Sequence, residues 1–335
     1  MSNDTDSFQR KYDFAIYILS FDRFEQLSTT IRFYLQFGFQ VRVVYDSKDE
    51  LDITHENLRS LRLKAGFGQR ALALSKMIDT DFAILAPDDD IFVPSSLIKM
   101  SNFLRNSEYT SVSGQALGVW TNKTILEICP AYSHFEFEDT FGMDRANRLE
   151  SQISDININP ISMYKMMSGA NLKLMLKLFE KIKDFSTPNI YEISAEILIL
   201  SIGHTRRLNE IYWLRNWNQP SISNSHWERK TNFAKWWLDE KFIHEKRDWL
   251  ALVNNICPEL SIEFLTQMLD TRITLNTEIR RHIFKDFYAR FFRFVKDWLR
   301  HHIFQYYKWN KMLTRLNWYY EETEILNCLK SIKSL

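Results

Sequence analysis

The first 120 residues of the chain alternate between short apolar runs and segments with a helical period, and this alternation limits the possible folds more than any other feature. Each apolar run has the length of a buried strand, and the segments between the runs repeat apolar residues at helical spacing. The predicted strands are residues 13–19, 39–46, 81–85 and 110–120, and the predicted helices lie within 20–38, 66–79 and 94–106. Strands that alternate with helices over short connections form a mostly parallel sheet with helices on both faces, so the sequence predicts an α/β fold.

The second half of the chain has a different pattern. A buried helix is predicted over 192–203, and beyond about residue 220 the pattern becomes helical and rich in tryptophan. The 335 residues suffice for one large or two ordinary domains, and only 8 Gly and 7 Pro argue against long flexible linkers. We therefore predict one α/β domain over 1–220 and a helical C-terminal region over 221–335.

Cysteine use and the polar N-terminus are typical of a cytoplasmic protein. Cys129, Cys257 and Cys328 are too far apart for a zinc site, and an odd number does not make a disulfide framework. Residues 1–13 lack the apolar region of a signal peptide, and no run approaches the roughly 18 apolar residues of a transmembrane helix. We therefore expect a cytoplasmic location.

Three adjacent carboxylates, Asp88, Asp89 and Asp90, follow the predicted strand 81–85. Like charges repel, and carboxylates that leave water must be paired, protonated or bound to metal. An Asp-X-Asp sequence at a strand end offers hard oxygen ligands to a divalent cation. A solvated acidic turn is the alternative, but the position between a buried strand and a helix begun by Pro94 favours the cation site.

Polar residues also follow the other two strands of this region. Ser20 to Arg23 end the first strand, and Asp46 ends the second. In open parallel sheets, ligands bind beyond the carboxyl ends of the strands. The three polar strand ends are therefore predicted to meet on one rim of the sheet and to form a ligand site.

Four segments resemble nucleotide-sugar glycosyltransferases of the GT-A (Rossmann-like) fold, in particular the family 2-like enzymes of bacterial surface-polysaccharide synthesis. They are ILSFDRFEQLSTTI, VRVVYDSKDE, GFGQRALALSKMIDTDFAILAPDDDIFVPSSL and NIYEISAEILILSIGHTRRL. The first three are similar to the opening strand and its Arg-containing turn, the second strand ending in Asp, and the stretch through the Asp-X-Asp motif. The fourth is similar to the acidic motif that supplies a catalytic base. The order and spacing of these segments over the first 220 residues carry the resemblance.

The resemblance implies a donor site for a nucleotide sugar, most simply a UDP-sugar. Ser20 and Arg23 would lie near the nucleotide. Asp46 would hydrogen-bond the uracil or the ribose, and Arg70 would lie near the base or the diphosphate.

The resemblance also implies roles for the three acids. Asp88 would contact the ribose or a metal-bound water, and Asp89 would belong to the donor site. Asp90, together with Asp88, would ligate Mn²⁺ or Mg²⁺, and the metal would neutralise the departing nucleoside diphosphate.

The catalytic base is the point at which this sequence departs from the family. Family members often carry Glu-Asp eleven to twelve residues before a Gly that closes a helix. Glu192 lies eleven residues before Gly203, but Tyr191 stands where an acid is expected. Glu192 is the first candidate for the base and Glu196, one turn along the same helix face, is the second. The alternative for Glu192 is a helix N-terminal acid that the helix dipole favours.

The reaction implied by the resemblance is a direct displacement. The base takes a proton from a hydroxyl of a glycan or lipid-linked acceptor, and the oxygen attacks the anomeric carbon as the nucleoside diphosphate leaves. A single displacement inverts the anomeric centre. Such an enzyme would contribute to a capsule or a lipopolysaccharide.

Other polar residues are weaker candidates. Arg215 would meet the diphosphate or pair with a surface acid, and His226 would be a third metal ligand or a packed histidine. Four acids of the polar middle segment would line the acceptor side or form a solvated loop: Glu136, Glu138, Asp139 and Asp144.

Residues 279–318 combine a basic face with an aromatic and apolar face. Over 280–318 there are ten Lys or Arg and two acids, Asp286 and Asp297. A basic amphipathic segment binds an anionic membrane surface at roughly 1 kcal/mol per basic residue, which would place the protein at the inner face of the cytoplasmic membrane. Packing on the catalytic domain or on a second subunit of a homodimer is the alternative. No nucleic-acid role is expected, because no known binding motif accompanies this segment and the net charge is only +1.

Two other functions remain open at this point. A nucleotidyltransferase also uses carboxylate-held Mg²⁺, but it would be expected to carry a Gly-rich phosphate loop after the first strand, and SFDRFEQL contains no glycine. A non-catalytic scaffold with the same fold, bound to a glycan assembly complex, would explain the tyrosine at position 191. Asp88 and Asp90 argue against the scaffold, because a protein without turnover does not need the acids.

Overall fold

The computed structural model describes residues 12–121, 126–131, 139–153, 160–187, 189–216, 233–258 and 260–283, together with residues 324 and 328. Its centre is a nine-stranded sheet in the order β3-β2-β1-β4-β8-β6-β9-β5, with β7 paired to β6 beside this path. The strands are β1 Phe14–Phe21, β2 Gln40–Asp46, β3 Leu58–Arg62, β4 Phe82–Ala86, β5 Ile91–Phe92, β6 Ser111–Thr121, β7 Leu126–Pro130, β8 Met166–Ser168 and β9 Thr205–Asn216.

The sheet divides into two parts, which we call the first half and the second half. The first half, β3-β2-β1-β4, is parallel throughout. In the second half, the short strand β8 runs antiparallel to both β4 and β6, and β9 runs parallel to β6. Two antiparallel steps restore the strand direction, so β6 and β9 point the same way as β4. The carboxyl ends of β1, β2, β4 and β9 therefore lie on one rim, and the predicted α/β fold with a mostly parallel sheet is confirmed.

Two hydrophobic layers cover the two faces of the sheet. Alternate residues of β1 divide between them, because successive side chains of a strand point to opposite faces. Phe14 and Ile16 pack with α1 and α3, whereas Ala15 and Tyr17 pack with α2, α5 and α6. The described helices are α1 Phe24–Leu35, α2 Phe67–Ser75, α3 Pro94–Arg105, α4 Arg145–Ile153, α5 Gly169–Lys181, α6 Ile190–Ile202, α7 Phe233–Leu238, α8 Ile243–Ile256 and α9 Ile262–Ile283.

Local sequence signals explain where several elements begin and end. Pro94 occupies the first position of α3, where its missing N–H costs no hydrogen bond. Ser168 caps α5 by accepting a hydrogen bond from the backbone N–H of Asn171. Gly38 adopts a φ of 76° in the turn between α1 and β2, a conformation that glycine reaches without steric cost.

The tryptophan-rich C-terminal region packs on the α/β part through α6. The indole N–H of Trp249 donates to Ser194 Oγ at 2.9 Å, and both residues are buried. Trp236 donates to Glu245 Oε2 at 2.8 Å and so ties α7 to α8. The predicted helical character of this region is confirmed for the described residues, whereas the domain boundary at 220 stays a prediction.

Of the basic amphipathic segment 279–318, only residues 279–283 are among the described residues. None of the helices in the described ranges combines the length and the apolar character needed to cross a membrane. The predicted membrane or dimer contact of this segment therefore stays a prediction.

Candidate functional site

The rim of the first half brings together the polar ends of β1 and β4. Ser20 Oγ donates to Asp88 Oδ2 at 2.6 Å. Arg23 Nη1 lies 3.3 Å from Asp88 Oδ1 and also forms an ion pair with Asp89. All four side chains are largely removed from water. The sequence predicted this convergence from strand direction alone.

The turn after β1 is held in place by β2. Asp22 adopts a φ of 54°, in the left-handed region that Asp tolerates better than most residues. Its backbone N–H donates to the carbonyl of Asp46 at 2.9 Å. The turn is thus fixed at the rim, and Arg23, which follows it, reaches the acids at the end of β4.

A second pair of predicted residues, Asp46 and Arg70, lies on the same rim. Arg70 Nη1 is 3.8 Å from Asp46 Oδ2, and the guanidinium lies 5.0 Å from the centre of the Phe21 ring. Arg70 is almost completely buried at the start of α2. Burial lowers the pKa of Arg70, and the charges of Asp46 and Asp88 oppose this shift. A buried cation therefore stands beside the strand end predicted to meet the nucleotide.

Asp90 takes its partners from the second half of the sheet. The indole N–H of Trp213 donates to Asp90 Oδ2 at 2.9 Å, and the backbone N–H of Asn216 donates to Asp90 Oδ1 at 2.7 Å. Both donors belong to β9, whose carboxyl end reaches the rim. Sequence reasoning missed these two residues. The apolar run IYWL at 211–214, taken as the end of a strand, is the signal that could have located them.

Burial raises the pKa of all three acids. The pKa of Asp88 rises to about 6, because burial and the neighbouring Asp89 outweigh Arg23 and Ser20. Burial also raises the pKa of Asp89, against the charge of Arg23. The pKa of Asp90 is raised well above its ordinary value by burial and by Asp89, although Asn216 and Arg215 oppose the shift. Burial thus makes the charged forms of these acids costly unless a cation is bound beside them.

The donor set of the three acids fits a hard divalent cation. Carboxylate oxygens are the ligands that Mg²⁺ and Mn²⁺ prefer, and a bound cation offsets the cost of ionising buried carboxylates. Among the described residues, each Asp90 oxygen accepts a hydrogen bond from β9, and a carboxylate oxygen has a second lone pair. The described part of the chain contains no ready-made cluster of three His, Cys, Asp or Glu ligands. A cation at Asp88 and Asp90 would therefore need further ligands from water or from a bound diphosphate.

Glu192 lies half-buried in the first turn of α6, the helix that precedes β9 in the chain. Burial raises the pKa of Glu192, while a hydrogen bond with Asn189 and the charge of Arg215 oppose the shift. The charge of Arg215 also acts on Asp89 and Asp90. Arg215 therefore connects the first turn of α6 to the acids electrostatically. Glu196 is buried one turn further along α6.

The tyrosine that replaces an acid at position 191 has a packing role. Its ring lies 4.8 Å from the ring of Phe67 and 5.4 Å from the ring of Phe179, measured between ring centres. These contacts join α6 to α2 and α5. The departure from the family pattern thus places an aromatic contact beside Glu192.

Two of the weaker acidic candidates have structural partners away from the rim. Asp139 pairs with Arg206 near the start of β9, at the opposite end of the strand from Asn216, and accepts a hydrogen bond from Tyr109. Asp144 accepts the backbone N–H of Asn147 at 2.8 Å at the start of α4. The remaining weaker candidates lie outside the described residues: Glu136, Glu138 and His226.

No protein-family model matches the chain, and no curated protein sequence matches it. Among solved structures, the chain is similar to residues 1–349 of S. aureus TarS in complex with UDP-GlcNAc. The two chains are 15% identical, the TM-score is 0.51, and the match covers 82% of this chain and 77% of that chain. A second structure of TarS 1–349 gives 14% identity, a TM-score of 0.47, and coverage of 80% of this chain and 91% of that chain.

At 15% identity, the likeness to TarS in the UDP-GlcNAc complex is informative about the fold. It agrees with the α/β fold that the sequence predicted and the structure shows, and with the resemblance found in the sequence. The predicted fold is confirmed: the chain has a GT-A-like glycosyltransferase fold.

Proposed function

We propose that the chain is a metal-dependent glycosyltransferase of bacterial surface-polysaccharide synthesis. It transfers a sugar from a UDP-sugar to a hydroxyl group of a glycan or a lipid-linked acceptor. The observation that carries the proposal is that one rim holds an Asp–Arg pair together with the buried acids Asp88 and Asp90 and the largely buried Asp89. The charge of Arg215 acts both on these acids and on Glu192, whose pKa is raised. A UDP-sugar donor is supported by the fold-level likeness to TarS, which was crystallised with UDP-GlcNAc.

The donor would lie along the first half of the rim. Asp46, exposed in part at the end of β2, would accept a hydrogen bond from the uracil or from a ribose hydroxyl. Arg70 beside it would provide positive charge near the diphosphate. Ser20 would hold Asp88 in a fixed orientation through the 2.6 Å hydrogen bond between them. Charged and hydrogen-bonding groups that are already in place lower the cost of binding a charged ligand.

Asp88 and Asp90 would hold the divalent metal, Mn²⁺ or Mg²⁺. A metal bound there supplies positive charge that stabilises the diphosphate as it leaves the sugar. The fixed N–H donors of β9 would orient Asp90 for this role, because a strand backbone and a buried indole have little freedom to move. Arg215 would add positive charge on the same side.

Glu192 would act as the general base. It would take the proton from the acceptor hydroxyl while the acceptor oxygen forms a bond to the anomeric carbon and the bond to the diphosphate breaks. Burial raises the pKa of Glu192 and so makes its carboxylate a stronger base near neutral pH. One displacement inverts the anomeric centre, so the product would have the opposite anomeric configuration to the donor.

A lipid-linked acceptor would place the reaction at a membrane surface. The ten basic residues of 280–318 would supply the attraction to an anionic leaflet, at the inner face of the cytoplasmic membrane. A homodimer formed through the same segment is the competing arrangement.

A non-catalytic scaffold is the second candidate function, and the packing of Tyr191 favours it. An acid expected in this position of the family is replaced by an aromatic contact to α2 and α5. A scaffold would bind the nucleotide without releasing it from a sugar. Metal-dependent release of UDP from UDP-sugars, even at a slow rate, would separate an enzyme from a scaffold.

The first experiment is a thermal-shift comparison of UDP, GDP, CDP and CMP, each with and without Mn²⁺. A ligand at 100 times its dissociation constant stabilises a protein by about 2.7 kcal/mol, which is easily measured. We expect a Mn²⁺-dependent shift with UDP that is lost in Asp90→Ala and retained in Asp139→Ala. The control removes an acid from the opposite end of the sheet. Absence of a shift with every nucleotide would contradict the proposal.

A further inference from the structure

We propose that Arg23 is an internal counter-cation that makes metal binding depend on the donor. In the free protein, its guanidinium occupies Asp88 and Asp89 and weakens metal binding. When a nucleoside diphosphate binds, Arg23 turns to the phosphates and releases the acids to the metal. This inference rests on the proposed donor and metal site and assigns to Arg23 the coupling between the two ligands.

The first observation is that Arg23 makes both ion pairs described for the first two acids. Its Nη1 lies 3.3 Å from Asp88 Oδ1, and the same atom pairs with Asp89. The three side chains keep only 10–15% of their exposure to water. Ion pairs at such low exposure are weakly screened, so the positive charge of Arg23 repels a second cation that approaches the same oxygens.

The second observation is that the three acids have different kinds of partner. Asp90 is held by neutral N–H groups of Trp213 and Asn216, which add no net charge to the site. The guanidinium of Arg23 instead carries a full charge on a flexible side chain. A guanidinium binds phosphate oxygens as readily as carboxylates, and often through two parallel hydrogen bonds. It can therefore exchange one anionic partner for the other.

The third observation is the position of Arg23 in the fold. It follows Asp22, whose backbone N–H is bound to the carbonyl of Asp46, and it precedes the first turn of α1. Its Cα is thus fixed between the end of β1 and the end of β2, the two strand ends predicted to meet the nucleotide. A side chain anchored there can reach either the acids or a diphosphate while the backbone stays in place.

The coupling has a definite thermodynamic form. If UDP tightens Mn²⁺ binding by some factor, Mn²⁺ must tighten UDP binding by the same factor. Part of this factor is expected from direct contact between metal and diphosphate. The part that Arg23 contributes is the weakening of metal binding in the free protein, and it disappears when the charge at position 23 is removed.

The test is direct titration of Mn²⁺ followed by its electron paramagnetic resonance signal, with and without saturating UDP. We expect Arg23→Gln to bind Mn²⁺ at least 10-fold tighter than wild type in the absence of UDP. Arg23→Lys, which keeps the charge, should stay within about threefold of wild type, a difference of less than 0.7 kcal/mol. Arg59→Gln removes an equal charge from the exposed edge strand β3, where Arg59 pairs with Asp79, and should leave Mn²⁺ affinity unchanged.

A double variant and a separate measurement of UDP binding distinguish failure of the inference from failure of the proposed function. Asp90→Asn in the Arg23→Gln background should remove this gain in affinity and weaken Mn²⁺ binding to the wild-type value or below it. Equal Mn²⁺ affinity of wild type and Arg23→Gln without UDP would overturn the inference, and so would equal tightening in Arg59→Gln. If UDP stabilises the protein but Mn²⁺ binds neither protein, the coupling is absent while the donor site stands. If UDP does not bind either, the proposed function itself fails.

Discussion

The two halves of the sheet hold the same three acids in different ways. The first half meets Asp88 and Asp89 with a hydroxyl and a charged side chain, Ser20 and Arg23. The second half meets Asp90 with an indole N–H and a backbone N–H of one strand. The guanidinium of Arg23 is an exchangeable partner, whereas the two N–H donors of Asp90 are fixed, although all three acids are consecutive in sequence. Arg215 of the second half acts on Asp89 and Asp90 through its charge.

The different partners of the acids suit the two halves to different tasks in the proposed reaction, donor binding and positioning of the metal ligand. A side chain that pairs through charge can give up its partner when an anionic ligand offers a better one. A backbone N–H at the end of a strand moves only if the strand end moves with it, since the residue is paired in the sheet. The first half is therefore suited to binding and releasing the donor. The second half, together with α6, is suited to holding the metal ligand Asp90 and the base in constant positions.

The largest expected effect concerns the proposed base, Glu192, which lies in α6 and is grouped with the second half. Glu192→Gln should lower the rate of sugar transfer about 10²- to 10⁴-fold, the usual contribution of a general base. UDP binding should stay within about twofold, because the donor contacts lie on the first half. The measurement is single-turnover transfer beside a thermal shift with UDP and Mn²⁺.

The matched control for this experiment is Glu196→Gln, one turn along α6. Glu196 is also buried, so the same change tests whether loss of a buried carboxylate alone lowers the rate. A larger loss of transfer in Glu196→Gln than in Glu192→Gln would contradict the assignment of Glu192 as the general base and would favour Glu196.

The second prediction uses the burial of Asp88 in the absence of ligands. Its pKa of about 6 in the folded protein exceeds the ordinary value of 3.8, so the folded state binds this proton more tightly than the unfolded state does. The stabilisation from protonated Asp88 is present at low pH and is lost as pH rises towards and through about 6. Asp88→Asn, which cannot ionise, should therefore raise the free energy of unfolding by about 1–3 kcal/mol at pH 7.

Urea unfolding at pH 4 and pH 7 checks this sign. At pH 4 the variant and the wild type should differ by much less than at pH 7, because Asp88 is then mostly protonated in the folded protein. The same variant should lose Mn²⁺-dependent UDP binding. A variant less stable than wild type at pH 7 would mean that the ion pair with Arg23 outweighs burial.

The sequence was sufficient for three strands of the first half, β1, β2 and β4, because their signals are local. Each of these strands is a short buried run that ends at or close to a polar residue, and parallel strands must bring those residues to one rim. The edge strand β3 was missed, because it is mostly exposed and has no apolar run. Ser20, Asp46 and Asp88 could be placed together for this reason alone. Pro94 likewise marked the start of α3 without knowledge of the fold.

The second half could not be predicted in the same way. The strand β8 has only three residues and β5 only two, so neither contains a readable period. The strand β9 begins with polar residues, and its pairing partners are fixed by the fold rather than by its own sequence. Trp213 meets Asp90 across 123 residues of chain, and no local pattern indicates a contact of that separation.

Two buried indole groups, one in β9 and one in α8, donate to acceptors of different charge. Trp213 donates to the carboxylate of Asp90, and Trp249 donates to the hydroxyl of Ser194, both at 2.9 Å. Hydrogen bonds to charged groups contribute about 1.5–3 kcal/mol and those to neutral groups about 0.5–1.5 kcal/mol. When Asp90 is ionised, Trp213→Phe should therefore cost more stability than Trp249→Phe, as measured by urea unfolding over a series of pH values. The difference should shrink as the pH falls and Asp90 becomes protonated.

The same pair of variants tests the separation of tasks. Trp213→Phe should also weaken Mn²⁺ binding in the presence of UDP, since Asp90 loses one of its two fixed partners. Trp249→Phe should leave it unchanged. Equal effects of both variants on Mn²⁺ affinity would show that general loosening of the core, and not the orientation of Asp90, sets the affinity.

The smallest expected effect on stability concerns Glu324, which contacts the start of α3. The chain reaches α3 directly after Asp90 and the short strand β5. Glu324 Oε1 accepts the backbone N–H of Ser95 at 2.9 Å in the first turn of α3. Four residues later, Cys328 is fully buried in the layer that contains Tyr34, and the Tyr34 hydroxyl accepts the backbone N–H of Phe92 at 2.8 Å. Glu324 and Cys328 thus contact the segment directly behind the three acids.

An acid at a helix N-terminus typically contributes 0.3–1 kcal/mol, so Glu324→Gln should lower the free energy of unfolding by about that amount. UDP and Mn²⁺ affinities should not change, because the hydrogen bond orients α3 and not an acid of the rim. Lys99→Gln, which removes an exposed partner of Glu210 from the same helix, is the matched control. A several-fold loss of Mn²⁺ affinity in Glu324→Gln alone would make the C-terminal segment a third support of the site, because Asp90 would then depend on α3 as well as on β9.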